Sequence, residues 1–273
     1  IAGSAITVDA WTGEILAVSN YPVFNPNNRE AFDYGAARNR ALTDVYEPGS
    51  TIKTLTLIAA LESGKFTIES LVDTAPGRIR VGAKVLHDPR NYGEISVSKI
   101  IEKSSQVGVT KLAQAVGHEA ILDVLLRFGF GEQTGTGFPG ERAGFLPSMV
   151  HWSEIEKVTL AFGYGLNATP IQLAQAYSIL ANDGVKQPLT LLKQERETLP
   201  VGKQVVAAEV AQEVLRVLGR VTDSGGTATL AQVPGFSVGG KTGTVHKVGK
   251  TGYLDDQYVA LFVGVAPMKN PRY

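Results

Sequence analysis

The chain contains no cysteine, only two methionines and only two tryptophans. Without thiols it has no disulfide, no thiolate nucleophile and no thiolate metal site. Net charge is missing too: Lys plus Arg and Asp plus Glu each number 26. No global field therefore argues for nucleic acid or an anionic lipid surface as partner. No apolar run is long enough to span a membrane, and no secretory signal precedes Ile1. Because the chain starts on Ile1 and not on methionine, any anchor is expected outside these residues. The four histidines, His87, His118, His151 and His246, have no metal-ligand spacing. No Gly-x-Ser-x-Gly elbow nominates a triad serine. The histidines read as surface or structural, and no metal or cofactor is expected. Gly129-Phe130-Gly131 and Gly163-Tyr164-Gly165 lack the strand-to-helix context of a nucleotide loop.

What is present is a globular composition, with 273 residues of which 44% are hydrophobic and 19% charged. That allows one large domain or two small ones. Ser4–Val8 and Glu14–Val18 read as strands around a turn, followed by a Pro/Asn-rich loop over Asn20–Asn28. A mostly helical region is expected over about 67–160, with helical periodicity in Val97–Val116 and Glu119–Phe128. Gly129–Pro147 reads as loop. Thr169-Pro170 opens a helix that ends at Gly184, and Ala207–Leu218 is amphipathic. Phe236–Val245 and Tyr258–Ala266 read as paired strands. This layout predicts an α/β chain of the α+β type, with one antiparallel sheet built from both chain ends and helices packed on it.

Glu47-Pro48-Gly49-Ser50-Thr51-Ile52-Lys53 carries the chemistry. Ser50 stands at the start of an apolar helix made by Ile52, Leu55, Ile58, Ala59 and Leu61. Lys53 lies one turn on, so its amine can reach the Ser50 hydroxyl. A serine is a weak nucleophile until a neighbouring base takes its proton, and Ser-x-x-Lys supplies that base without histidine. The spacing alone is weak evidence: chance gives about one match in a chain of this length at average composition. Ser96-Val97-Ser98-Lys99 is such a match, and it reads as a helix cap with a solvated lysine.

Lys241-Thr242-Gly243-Thr244 follows Val238-Gly239-Gly240 within a predicted strand. Strand glycines let another backbone approach, and an edge strand can hold an extended peptide by strand addition. Lys241 and the threonine hydroxyls would then hold a carboxylate. Lys250-Thr251-Gly252 repeats the pattern but reads as a hairpin tip. Ser104-Ser105-Gln106 is a third element. By itself it is no more than a polar helix end.

In this order, Ser-x-x-Lys, Ser-x-Gln and Lys-Thr-Gly-Thr resemble the motif set of β-lactamases and penicillin-binding proteins. Across essentially all 273 residues the chain resembles the penicillin-binding-protein transpeptidases, most of all the monofunctional class B septal enzymes. Asp9 with Thr12-Gly13, Arg38-Asn39-Arg40-Ala41, Phe162-Gly163-Tyr164-Gly165 and Thr169-Pro170-Ile171-Gln172-Leu173-Ala174 carry the likeness. The resemblance implies the penicillin-binding/serine β-lactamase-like fold, with an all-helical subdomain at about 67–160 in a single domain over 1–273.

The resemblance further implies acyl transfer through an ester on Ser50, with a peptidoglycan stem peptide as substrate. Lys53 is then the base, with its pKa lowered by burial or by Lys241. Ser104 relays a proton to the leaving D-alanine. Backbone N–H groups of Ser50 and Thr244 form the oxyanion hole, and Gln106, Thr242, Gly243 and Thr244 bind substrate. β-Lactams, division-machinery membrane proteins and a periplasmic location at the bacterial inner membrane are implied in the same way.

Two features depart from the family pattern. Gln106 stands where asparagine is usual. The chain also ends at Pro271-Arg272-Tyr273, before a further strand and C-terminal helix, so both are expected to be absent. A serine β-lactamase remains a rival reading, although Glu141-Arg142-Ala143-Gly144-Phe145 does not match the Glu-x-x-Leu-Asn of class A. A non-catalytic β-lactam sensor or structural relative is the other rival, kept alive by Gln106.

Overall fold

Alternation of apolar side chains pairs the first two strands, β1 (Gly3–Val8) and β2 (Ile15–Tyr21), antiparallel around the Asp9–Gly13 turn. Ile6, Val8, Ile15 and Val18 turn one face inward onto Ala41, Leu42 and Ile171. The structure, a computed structural model, describes residues 1–28, 30, 32–148, 152–195, 197, 199–249 and 252–273. His151, Lys250 and Thr251 lie outside the described residues. Two short helices follow, α1 (Tyr34–Ala37) and α2 (Arg40–Thr43).

A 3₁₀ turn, Gly49–Ile52, runs directly into α3 (Lys53–Glu62). Every residue of α3 from Lys53 to Ala60 is buried. A helix apolar on all sides belongs in the core, and α3 is wrapped by α4 (Val97–Glu102), α5 (Gln106–Val116), α6 (His118–Arg127) and α9 (Ala208–Thr222). Between α3 and α4 lie β3 (Leu71–Asp73), β4 (Arg78–Val81), β5 (Lys84–His87) and β6 (Glu94–Ser96), paired as β3–β6 and β4–β5. The expected all-helical subdomain is thus mixed. Arg78–His87 alternates around Gly82, which has a positive φ and allows a tight hairpin. The periodic stretch Val97–Val116 is two helices and not one, broken at residues 103–105.

After a glycine-rich loop come α7 (Glu154–Thr159) and α8 (Pro170–Ala181). Thr169 and Gln172 form a capping box at the start of α8, with proline in its first turn. The small pair β7 (Val185–Lys186) and β8 (Lys203–Gln204) leads to α9, which extends to Thr222, beyond the expected Leu218. The chain closes with a long antiparallel hairpin, β9 (Gly239–Gly249) and β10 (Gly252–Val265).

The expected single sheet is instead two separate pairs, β1–β2 and β9–β10. Both rest on α8. β1 and β10 face one another across a cavity of about 410 Å³ that also touches Leu173 and Tyr177. Among the described residues no strand lies between them, so these edges keep backbone groups available for pairing.

Candidate active site

Hydrogen bonds of its neighbours hold the turn that carries Ser50. The Gly49 N–H donates to Gly163 O at 3.1 Å. Gly163 takes a left-handed φ of 83°, and a Cβ there would lie 2.2 Å from Gly49 O, so only glycine fits. From α8, the Tyr177 hydroxyl donates to Thr51 O at 2.9 Å and meets Thr54 Oγ1 at 2.8 Å. Thr51 Oγ1 donates to Pro48 O at 2.8 Å. Ser50 itself is half-buried. Near the start of its turn, its N–H has no partner within that turn.

β9 runs alongside. At Gly243 a Cβ would stand 3.0 Å from Pro48 O and 3.2 Å from Thr51 Cγ2. The absent side chain is what brings the strand against the Ser50 turn. Among the described residues β9 pairs only with β10, so its other edge is unpaired. Lys241 and Gly243 are buried, Thr242 is half-buried and Thr244 is exposed. Thr242 Oγ1 donates to Thr227 Oγ1 at 3.1 Å.

Ser104 is the meeting point of the three motifs. It sits in the break between α4 and α5 with φ 55°, a conformation that costs a non-glycine residue roughly 1–3 kcal/mol. Lys53 Nζ donates to Ser104 O at 2.6 Å and lies 3.2 Å from Ser104 Oγ. Lys241 Nζ lies 3.0 Å from the same Oγ and donates to Thr242 O at 3.2 Å. Lys53 is 3% exposed and Lys241 0%. Burial, and then the neighbouring Lys241, push Lys53 down to about 7, with Asp88 acting against them. Burial pushes Lys241 down to about 8. Two like charges removed from water favour the neutral amine.

The expected reach of Lys53 to Ser50 takes a different form. The Lys53 backbone N–H bonds Ser50 O, while its amine bonds Ser104. Catalytic hydrogen bonds often tighten only once substrate is bound. The Gln106 side chain is half-buried, and among the described residues it has no hydrogen-bond partner. Its backbone N–H opens α5 and donates to Asp88 at 2.5 Å. Asp88 was not singled out from the sequence. No motif marks it, and only the fold carries it to the end of α5.

The other candidates resolve plainly. Ser96 caps α4, its Oγ accepting from Lys99 N at 3.2 Å, and the Lys99 amine is partly exposed beside Glu102. Gly249 pairs with Gly252, and the expected tip at Lys250 and Thr251 lies outside the described residues. His246 Nδ1 lies 2.9 Å from Leu254 O, and His118 stands beside Glu119 and Trp152. His87 is exposed at the end of β5. Among the described residues no cluster of three metal-ligating side chains occurs. Glu141 spends both carboxylate oxygens on Thr134 and Thr136 within its own loop, at 2.6 Å each.

A family model described as the penicillin binding protein transpeptidase domain matches residues 3–273. The chain belongs to that family. It is 40% identical, over all 273 residues, to the peptidoglycan D,D-transpeptidase FtsI of Escherichia coli K12, covering 46% of it. It is 42% identical over 271 residues, 99% of its length, to the probable peptidoglycan D,D-transpeptidase PenA of Neisseria gonorrhoeae, again covering 46%. The chain therefore spans about half the length of the curated relatives it matches. Among solved structures, the transpeptidase domain of Burkholderia pseudomallei penicillin-binding protein 3 superimposes with a TM-score of 0.90 at 39% identity. That match covers 99% of this chain and 77% of the other. The expected penicillin-binding fold is borne out at this level.

Proposed function

We propose that this chain is the transpeptidase domain of a peptidoglycan D,D-transpeptidase, working through an acyl-enzyme on Ser50. The observation that carries this reading is the convergence of two buried amines, Lys53 and Lys241, on Ser104 Oγ beside the Ser50 turn. Ser50 Oγ attacks the carbonyl between two D-alanines, and neutral Lys53 takes its proton. The Ser50 and Thr244 N–H groups hold the oxyanion, each such donor commonly contributing ~3 kcal/mol. The tetrahedral adduct collapses, and the C–N bond breaks. The leaving D-alanine amine takes a proton through Ser104, passed on from Lys53. An amine of a second stem peptide then attacks the ester and frees Ser50.

Lys241 and the hydroxyls of Thr242 and Thr244 bind the terminal carboxylate in this scheme, with the substrate extended along the open edge of β9. Gly243 lets that edge lie against Ser50, and Gln106 offers its unpartnered amide to the peptide. A β-lactam would occupy the donor site and leave a long-lived ester. We infer one domain over 1–273, in which about 67–160 forms the subdomain that contributes Ser104. Stem peptides lie outside the cytoplasm, so we place the reaction on the periplasmic side of the inner membrane, with the anchor outside these residues. We further infer a septal role beside division-machinery membrane proteins from the resemblance of the motifs to the class B septal enzymes.

The test is intact mass after incubation with a β-lactam, for the wild type and Ser50→Ala, followed by transfer from a D-Ala-D-Ala stem peptide to an acceptor amine. A slowly decaying adduct that depends on Ser50, together with transfer, supports the proposal. Rapid turnover favours a β-lactamase. Acylation without transfer in the full-length protein favours a sensor.

A further inference from the structure

Three consecutive backbone N–H groups open α5, and a buried end of this kind needs acceptors. Two side chains supply them. Ser105 Oγ accepts from Gly108 N at 2.9 Å. Asp88, just past β5, accepts from Gln106 N at 2.5 Å and from Val107 N at 3.2 Å through Oδ1. Its Oδ2 accepts from Ser105 Oγ at 2.6 Å. Asp88 is 9% exposed and Ser105 0%. The Asp88 N–H is itself fixed to Gly77 O at 2.9 Å. One carboxylate thus joins the β4–β5 hairpin to residues 105–107. Ser104, the adjoining residue, is the strained one whose hydroxyl meets both amines.

We propose that Asp88 is a positioning residue for acyl transfer: its carboxylate clamps the start of α5 so that Ser104 Oγ stays on Lys53 and Lys241. This rests on the Ser50 acyl-enzyme reading above. A charged acceptor at a helix N-terminus is stronger than a neutral one, so it can offset the left-handed strain at Ser104. The anion also bears on the base, since Asp88 is the group that favours protonated Lys53 against burial and Lys241. On the surrounding elements, Arg78 and Lys84 of the β4–β5 hairpin are exposed, and several other charges are paired. Glu102 on α4 pairs with Lys99 and Lys103, and Lys111 on α5 bonds Asp73 O. Arg127 on α6 pairs with Glu62 and Asp123, and Arg220 on α9 reaches Ser98 and Glu69. On β9, His246 meets Leu254 O, and Lys247 is exposed.

The experiment compares wild type, Asp88→Asn and Asp88→Ala by acylation rate with a fluorescent penicillin, across pH, with a melting curve for each. Wild type must acylate on Ser50; if it does not, the acyl-enzyme reading fails before Asp88 is judged. Asp88→Ala loses the clamp, and a shift of Ser104 of about 1 Å should slow acylation by roughly 10²-fold per folded molecule. Asparagine keeps the backbone acceptor without the charge. Asp88→Asn should recover most of the rate at high pH, with the acid limb of its profile moved to lower pH. Asp88→Ala acylating at the wild-type rate would overturn the proposal. So would an Asp88→Asn profile whose acid limb stays in place or moves to higher pH. If Asp88→Ala does not fold, the Asp88→Asn profile decides.

Discussion

Lys53 and Lys241 reach one oxygen, Ser104 Oγ, from two different elements, at 3.2 and 3.0 Å. A hydroxyl offers one proton and two lone pairs. With Lys53 neutral and Lys241 charged, Ser104 can donate to the first while accepting from the second. Burial and Lys241 both lower Lys53, whereas burial alone lowers Lys241, and this asymmetry favours the proton on Lys241.

That ordering predicts a bell-shaped pH profile for acylation of the free protein. The two amines are coupled, so the limbs belong to the pair: the acid limb reports the deprotonation that frees a base, and the alkaline limb reports loss of the remaining charge. Lys53→Met should lower the rate at least ~10²-fold at every pH. Second-order rate constants for a penicillin between pH 5.5 and 9.5 check this, and a flat profile would overturn it.

Burial of Lys53 also carries a stability consequence. Its folded value lies below the ordinary 10.5, so between about 7 and 10.5 the unfolded chain binds more protons than the folded one. Wild-type stability from this group therefore rises with pH through that window and is most penalised below it. Relative to Lys53→Met, the wild type should gain stability from pH 7 to 10. Urea unfolding at several pH values measures the difference between the two slopes.

Ser104 separates strain from chemistry. Glycine tolerates its φ of 55° and alanine does not. Ser104→Gly should therefore be more stable than Ser104→Ala by about 1 kcal/mol. Both should acylate slowly, because neither has the hydroxyl. Melting temperatures and labelling rates of the two variants test this together.

The contact between Gly163 and Gly49 predicts a large effect from a small change. In Gly163→Ala the new Cβ would fall 2.2 Å from backbone oxygen at a positive φ, so the Ser50 turn must move. We expect roughly 1–3 kcal/mol of destabilisation and a loss of acylation beyond the loss of folded protein. A variant that acylates normally would show that the turn tolerates displacement.

Gln106 bonds through its backbone but has no side-chain partner among the described residues. Gln106→Asn should leave the melting temperature within about 0.5 kcal/mol of equivalent stability while changing the acylation rate. A shift in melting with unchanged kinetics would assign the side chain to the fold instead.

Much of the architecture was legible because its signals are local. The apolar run of α3, the Thr169-Pro170 start of α8 and the Ser96 cap each depend on residues within one or two turns. The all-helical expectation for 67–160 failed at residues 71–96, where short strands are stabilised by pairing partners up to 25 residues away, such as Leu71 with Ser96. The single sheet failed for a related reason, since strand patterns do not say which edges meet. At the site, the three motifs and the family resemblance they carry nominated Ser50, Lys53, Ser104 and Lys241. Asp88 and Tyr177 escaped as site residues, and Gly163 was legible only as part of the family likeness, because their roles are contacts across the fold.

The sequence by itself determined the chemical inventory: a serine and lysine one turn apart, a second lysine in a glycine-bearing strand, and no thiol or metal-ligand set. Only the tertiary structure decided which charge states that inventory can hold. It buries Lys53 and Lys241 together beside a single hydroxyl, and removal from water makes a neutral amine accessible near neutral pH. Spacing along a chain sets which groups can meet, but desolvation belongs to the packed core.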